Sequence, residues 1–101
     1  MELVKQNQYQ EKISQGLVLV DFFATWCQPC KMLQCELEKL EKHYSTVRFV
    51  AVDTDEQALL AKQLKVLSLP TMFIYRDGCL LKEINGYYPA EVIEKLLNHY
   101  L

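Results

Sequence analysis

Leu17-Val18-Leu19-Val20-Asp21-Phe22-Phe23 is the stretch that most narrows what this chain can fold into. Apolar side chains occupy both parities, so a strand built from it is covered on both faces. Such a strand sits inside a sheet that carries helices above and below, and a parallel component is expected. The chain has 101 residues, enough for one domain spanning 1–101 with a real core and too few for two.

The remaining segments fit that frame. Residues 7–15 read as a short helix closed by Gly16, which tolerates the left-handed conformation of a helix end. From Pro29 to Tyr44, Leu33, Leu37, Leu40 and Tyr44 form one apolar stripe, with Glu38, Lys39, Glu41 and Lys42 elsewhere on the helix. Val47 to Val52 reads as a second buried strand, and Glu56 to Leu64 as another helix. Thr71–Tyr75 and Leu80–Ile84 flank Arg76-Asp77-Gly78-Cys79, where Asp-Gly signals a hairpin. Pro89 opens a last helix, expected to turn Val92, Ile93, Leu96 and Leu97 inward. The predicted class is α/β, a central mixed sheet flanked by helices on both faces, ending in a β-hairpin and a helix.

Bulk properties exclude several functions. The net charge is −2 and the basic residues are scattered, so neither a nucleic-acid footprint nor attraction to an anionic membrane is expected. No apolar run approaches the ~20 residues that span a bilayer. Met1 to Gln10 is mostly polar, unlike a secretory signal peptide, and the expectation is a cytoplasmic protein. In a reducing compartment, four cysteines are catalytic, metal-binding or merely buried rather than structural staples.

Cys27-Gln28-Pro29-Cys30 lies where the buried strand hands over to a helix. Two cysteines three apart at a helix start can bridge. Cys27 falls in the first turn, where free N–H groups and the positive dipole end favour a thiolate, and Cys30 lies a turn further in. The outer thiol then suits attack and the inner one resolution. Taken alone, such a pair is as readily half a zinc site or a chance spacing as a redox pair. Asp21, a carboxylate in an apolar strand, reads either as a buried proton shuttle or as the cap of a strand end.

The segment Asp21-Phe22-Phe23-Ala24-Thr25-Trp26-Cys27-Gln28-Pro29-Cys30-Lys31-Met32 resembles the active-site region of thioredoxins, whose depressed thiol pKa is a known general example. The likeness extends over nearly the whole chain. Leu69-Pro70-Thr71 matches the family's cis-proline loop, Gly78 its hairpin glycine, and Gly86 the glycine beside the substrate groove. The resemblance implies a thioredoxin fold and a protein-disulfide reductase that forms a Cys27–Cys30 disulfide. It makes Asp21 the general acid/base for Cys30. It puts Trp26, Gln28, Pro29, Leu69, Pro70 and Gly86 on the substrate rim, with the backbone of Leu69 pairing to extended substrate. It implies no bound cofactor and no metal, with electrons arriving from NADPH through a separate thioredoxin reductase. Disulfide-containing proteins are the implied substrates, and a monomer is expected.

Four positions depart from the family pattern. Gln28 replaces a glycine between the cysteines, and Phe23 stands where a second tryptophan is common. Ala51 occupies a position often held by a lysine near the aspartate, and Cys35 replaces a helix-kinking proline. At ~100° per residue, Cys35 is ~140° out of phase with Cys30 and points to solvent. Cys35 and Cys79 read as neutral surface thiols or as regulatory ones. The competing functions are a redox relay dedicated to one partner, a zinc module using His43 and His99 with the cysteines, and a binding scaffold.

Overall fold

The computed structural model describes residues 1–101. A two-residue strand, β1 (Glu2–Leu3), leads through a 3-10 turn at Gln6–Gln8 into α1 (Tyr9–Ile13). Then follow β2 (Leu17–Phe23), α2 (Gln28–Glu41), β3 (Val47–Asp53), α3 (Ala58–Gln63), β4 (Thr71–Arg76), β5 (Cys79–Asn85) and α4 (Ala90–Tyr100). The sheet order is β1-β3-β2-β4-β5, with β2 in the middle. β2 runs parallel to β3 and antiparallel to β4, and the β4–β5 pair is antiparallel. This is the mixed sheet expected from the two-sided apolar pattern.

Alternation along β2 divides the core into two layers. Val18, Val20 and Phe22 face a cluster with Tyr9, Ile13, Val50, Val52, Leu60 and Phe73. Leu17 and Leu19 face the other way, against Leu33, Leu37 and Leu40 of α2 and Ile93 and Leu97 of α4. Asp21 and Phe23 share the parity of this second layer, so β2 carries its carboxylate toward the side that α2 covers.

The hairpin turn has positive φ at both Asp77 (49°) and Gly78 (83°), the pattern of the tight turn that suits strand twist. Asp77 also ties that turn to the start of β2. Its carboxylate accepts the Gly16 N–H at 2.7 Å, and its own N–H donates to the Gly16 carbonyl at 3.0 Å.

Several boundaries differ from the sequence reading, each for a local reason. β1 is too short to show a period, and it is held by pairing to the edge of β3, with the Val4 N–H reaching the Ala51 carbonyl at 2.8 Å. The helix expected over 7–15 is a 3-10 turn followed by one short α-helix. α2 stops at Glu41, before Tyr44, which still packs on the core and bonds Asn98 of α4 through its hydroxyl at 2.9 Å. α3 starts two residues later than Glu56 because the Asp53 carboxylate takes the N–H groups of Asp55 (2.9 Å) and Glu56 (3.3 Å). That side chain offers the backbone a turn in place of the first helical bonds. Val92 corrects the expected inner face of α4: it is 47% exposed, Leu96 is half-buried, and only Ile93 and Leu97 are buried. A four-residue spacing keeps two side chains on a narrow stripe, while Val92 is rotated off it.

No helix is long and apolar enough to cross a membrane. The face of α4 gives a direct stability test. Ile93→Ala should cost about 2–5 kcal/mol, whereas Val92→Ala should stay within about 0.5 kcal/mol, both read from urea unfolding. Equal losses at the two positions would contradict this packing of α4.

Candidate active site

β2, the central strand, ends at Phe23, and Ala24-Thr25-Trp26 turns the chain into α2. Cys27 is the N-cap of α2, with extended backbone (φ −88°, ψ 110°), and its Sγ accepts the Cys30 N–H at 3.2 Å. A sulfur in that position faces the unsatisfied donors of the first turn, where negative charge is stabilised. Pro29 lies in the same turn and removes no helical hydrogen bond there. Cys27 and Cys30 are joined by a disulfide, their Cα atoms 5.2 Å apart. Cys27 is 5% exposed and Cys30 2%, so the bridge is nearly covered. Ala24 packs against it, with half-buried Phe23 and Leu69 beside them.

The second wall comes from the loop before β4. The Leu69–Pro70 peptide is cis, Pro70 is buried, and Leu69 lies against the dithiol cluster. The Pro70 carbonyl accepts the Gly86 N–H at 2.8 Å, which fastens the end of β5 to this loop. Gly86 has φ +95°, a conformation that other residues rarely adopt. Thr71 braces the loop by donating to the Ser68 carbonyl at 2.7 Å and accepting from the Asn85 amide at 3.0 Å. Gln28 and Pro29, between the two cysteines, are exposed. Trp26 is 70% exposed, and its indole N–H donates to the Asp55 carboxylate at 2.8 Å. The cysteines, the proline loop and the indole therefore form one surface around a covered sulfur pair.

Asp21 lies beneath that surface. It sits inside β2, opposite Ala51 of β3 and Met72 of β4, and is 1% exposed. Its Oδ1 has no hydrogen-bond partner. Of its two sequence readings, a strand-end cap does not describe a carboxylate in this position. Burial penalises the ionised form and pushes its pKa up to about 7. Asp21 opens into a cavity of about 120 Å³ lined by Met1, Leu3, Phe23, Gln34, Glu38 and Ala51. The small Ala51 side chain places no charge opposite the carboxylate. A second cavity, of about 200 Å³, is lined by Phe23, Ala24, Thr25, Cys30, Lys31 and Gln34.

Cys35 and Cys79 are free and exposed, Cys35 on the outer side of α2 as its helical phase requires. No group of three His, Cys, Asp or Glu side chains converges to hold a metal ion. Sequence reasoning missed Gln34, Glu38 and Asp55 around the site. Gln34 had one legible signal, since it lies four residues after Cys30 and hence on the same side of the helix. Asp55 had none, because its bond to Trp26 joins segments 29 residues apart.

The sequence profile of the thioredoxin family matches residues 1–99. The thioredoxin of Listeria monocytogenes is 37% identical over 94 residues, covering 92% of this chain and 91% of that protein. The thioredoxin of Bacillus subtilis is 35% identical over 104 residues, covering 100% of both. Among solved structures, Plasmodium falciparum thioredoxin superposes with a TM-score of 0.91 at 32% identity, over 100% of both chains. The oxidised form of mitochondrial thioredoxin 3 from Saccharomyces cerevisiae gives 0.87 at 35% identity, over 97% of this chain and 94% of that one.

The buried carboxylate makes a prediction about stability. An aspartate ionises near 3.9 in an unfolded chain, and here near 7. Below about pH 4 both states are protonated and nothing is lost. Between about pH 4 and 7 only the unfolded state gives up the proton, so stability falls as pH rises, by about 4 kcal/mol in all. Above pH 7 the loss is constant. Urea unfolding of the oxidised protein should show that slope, and Asp21→Asn should remove it. A variant that keeps the slope would place its origin elsewhere.

Proposed function

The chain belongs to the thioredoxin family and is a thiol–disulfide oxidoreductase, and from that premise we propose that it reduces disulfides in other proteins through Cys27 and Cys30. The observation that carries this reading is the position of the Cys27 sulfur, capping a helix N-terminus within bonding reach of Cys30. In the reduced protein, Cys27 thiolate attacks one sulfur of a substrate disulfide, and the other substrate sulfur leaves as a thiolate. Cys30, deprotonated with Asp21 as its base, then attacks the Cys27 sulfur of the mixed disulfide. The second substrate sulfur departs, and the enzyme is left with the Cys27–Cys30 bridge. Two electrons have moved from the dithiol to the substrate.

Leu69, Pro70 and Gly86 form the proposed binding edge, with Trp26, Gln28 and Pro29 completing its rim. Backbone groups of Leu69 would pair with an extended segment of substrate, which recognises main chain more than side chains. Family members work with thioredoxin reductase and disulfide substrates. We take NADPH, acting through such a reductase, as the electron source, a monomeric domain over 1–101 as the working unit, and the cytoplasm as its compartment.

The pair is tested by equilibration in graded thiol–disulfide buffers, with bridges mapped by peptide mass spectrometry, and by two variants assayed for reduction of a protein disulfide. A strongly reducing Cys27–Cys30 couple is expected. Cys27→Ser should lose turnover to the background rate, whereas Cys30→Ser should still attack and accumulate a mixed disulfide with substrate. Turnover that survives Cys27→Ser would overturn the assignment. A strongly oxidising couple would reverse the direction of transfer.

A further inference from the structure

The two cavities described above meet at two residues. Phe23 and Gln34 line both, while Asp21 belongs only to the first and Cys30 only to the second. Phe23 offers a hydrocarbon ring, which carries no proton. Gln34 is an exposed residue of α2, one turn after Cys30 and on the same side of the helix. Its amide holds both a donor and an acceptor, so it can bond water whichever way a proton travels. The Asp21 Oδ1 has no hydrogen-bond partner in the protein, and the cavity it borders has room for a water that could bond it. Cavities of about 120 and 200 Å³ are roomy enough for several waters.

We propose that Gln34 is a positioning residue for resolution of the mixed disulfide, its amide holding the water path that joins Asp21 to the Cys30 thiol. This rests on the reading of Asp21 as the base for Cys30. The Cys30 S–H proton passes to water, and that water gives a proton to the Asp21 carboxylate. The resulting Cys30 thiolate attacks Cys27, and the Cys27–substrate bond breaks with the pair of electrons leaving on the substrate sulfur. Asp21 later returns the proton to solvent through the first cavity, past Glu38.

Other charges near the path do not replace Gln34. Glu38 and the Met1 end of the chain border only the Asp21 cavity, and the Met1 amino group is paired with Glu41 at 3.1 Å. Lys31 borders only the Cys30 cavity, and its ammonium group offers donors but no acceptor. Asp53, next to Phe23 on β3, is engaged by the backbone of Asp55 and Glu56. β4 presents Met72 to Asp21, and β3 presents Ala51, neither of which titrates.

The test is carried out on the full chain with Cys35→Ser and Cys79→Ser, which removes the two exposed thiols that would also react. Stopped-flow reaction with an aromatic disulfide releases one coloured thiolate on attack by Cys27 and a second on resolution by Cys30. Gln34→Leu, similar in size but without polar atoms, should slow the second phase about tenfold at pH 7 and leave the first within about twofold. Its resolution profile should lose the inflection set by Asp21 and coincide with that of Asp21→Asn. Gln34→Asn, which keeps the amide, should recover most of the rate. The double variant Asp21→Asn/Gln34→Leu should be no slower than Asp21→Asn alone. If Asp21→Asn removes the inflection but Gln34→Leu does not, the role of Gln34 is wrong and that of Asp21 stands. If Asp21→Asn itself leaves resolution unchanged, the reading of Asp21 fails and the path with it. Equal slowing of both phases by Gln34→Leu would mean a distorted α2 and would also overturn the proposal.

Discussion

Burial of β2 on both faces is the constraint from which the rest of the structure follows. With β3 on one side and β4 on the other, every backbone group of Leu17–Phe23 can find a partner in the sheet. Its alternating side chains then seed two separate cores, one closed by α1 and α3 and the other by α2 and α4. A strand held this way has little freedom at its C-terminal end, and that end carries the turn into Cys27. The position of the first sulfur is thus set by the strand behind it as much as by the helix ahead. A Pro29 that fits the first turn and a Cys27 that caps it cost α2 nothing in hydrogen bonds.

The same burial makes Asp21 expensive. A buried carboxylate with an unbonded oxygen opposes folding increasingly from about pH 4 and in full above about pH 7, and an apolar residue there would remove the penalty. The surrounding residues do not reduce the cost. Ala51 supplies volume without charge, and Met72 supplies only contact. What they leave is space, and that space opens toward Gln34 and Glu38 on α2. A site that titrates near neutral pH, is shielded from solvent and is still reachable by water has the properties required of a base working at that pH.

Much of this was legible in the sequence, and the reason differs by residue. The two-sided pattern of Leu17–Phe23 announced a central strand because period-2 burial on both parities has few other solutions. Asp77-Gly78 announced its turn because few residue pairs accept two positive φ values. Leu33, Leu37 and Leu40 announced the inner face of α2 because their spacing repeats over two turns. Val92 misled, because one valine beside Ile93 fits an inward stripe as well as a solvent-facing one until the neighbours of α4 are known. β1 was silent, since two residues carry no period, and its pairing is decided by β3. For Asp21 the sequence left two readings; burial inside β2 speaks against the strand-end cap, and the proton-shuttle role stays a proposal. The cavities had no signature at all: the one at Asp21 arises where side chains from β1, β2, β3 and α2 fail to fill a common volume.

The electrostatics of the pair act on the redox couple in opposite directions. In the disulfide neither sulfur carries charge, so the donors at the N-terminus of α2 gain little from facing Cys27. On reduction, the same donors stabilise a Cys27 thiolate, which favours the dithiol and makes the couple more oxidising. An ionised Asp21 beneath the site acts the other way, because a negative charge in a low-dielectric interior disfavours a second one nearby. The balance is therefore tied to pH through Asp21, whose proton is lost near neutrality. With alanine rather than lysine at position 51, β3 places no opposite charge beside that carboxylate. Gln28 and Pro29 lie outside this argument, exposed and uncharged, and influence the couple only through the backbone that holds the two cysteines at bridging distance.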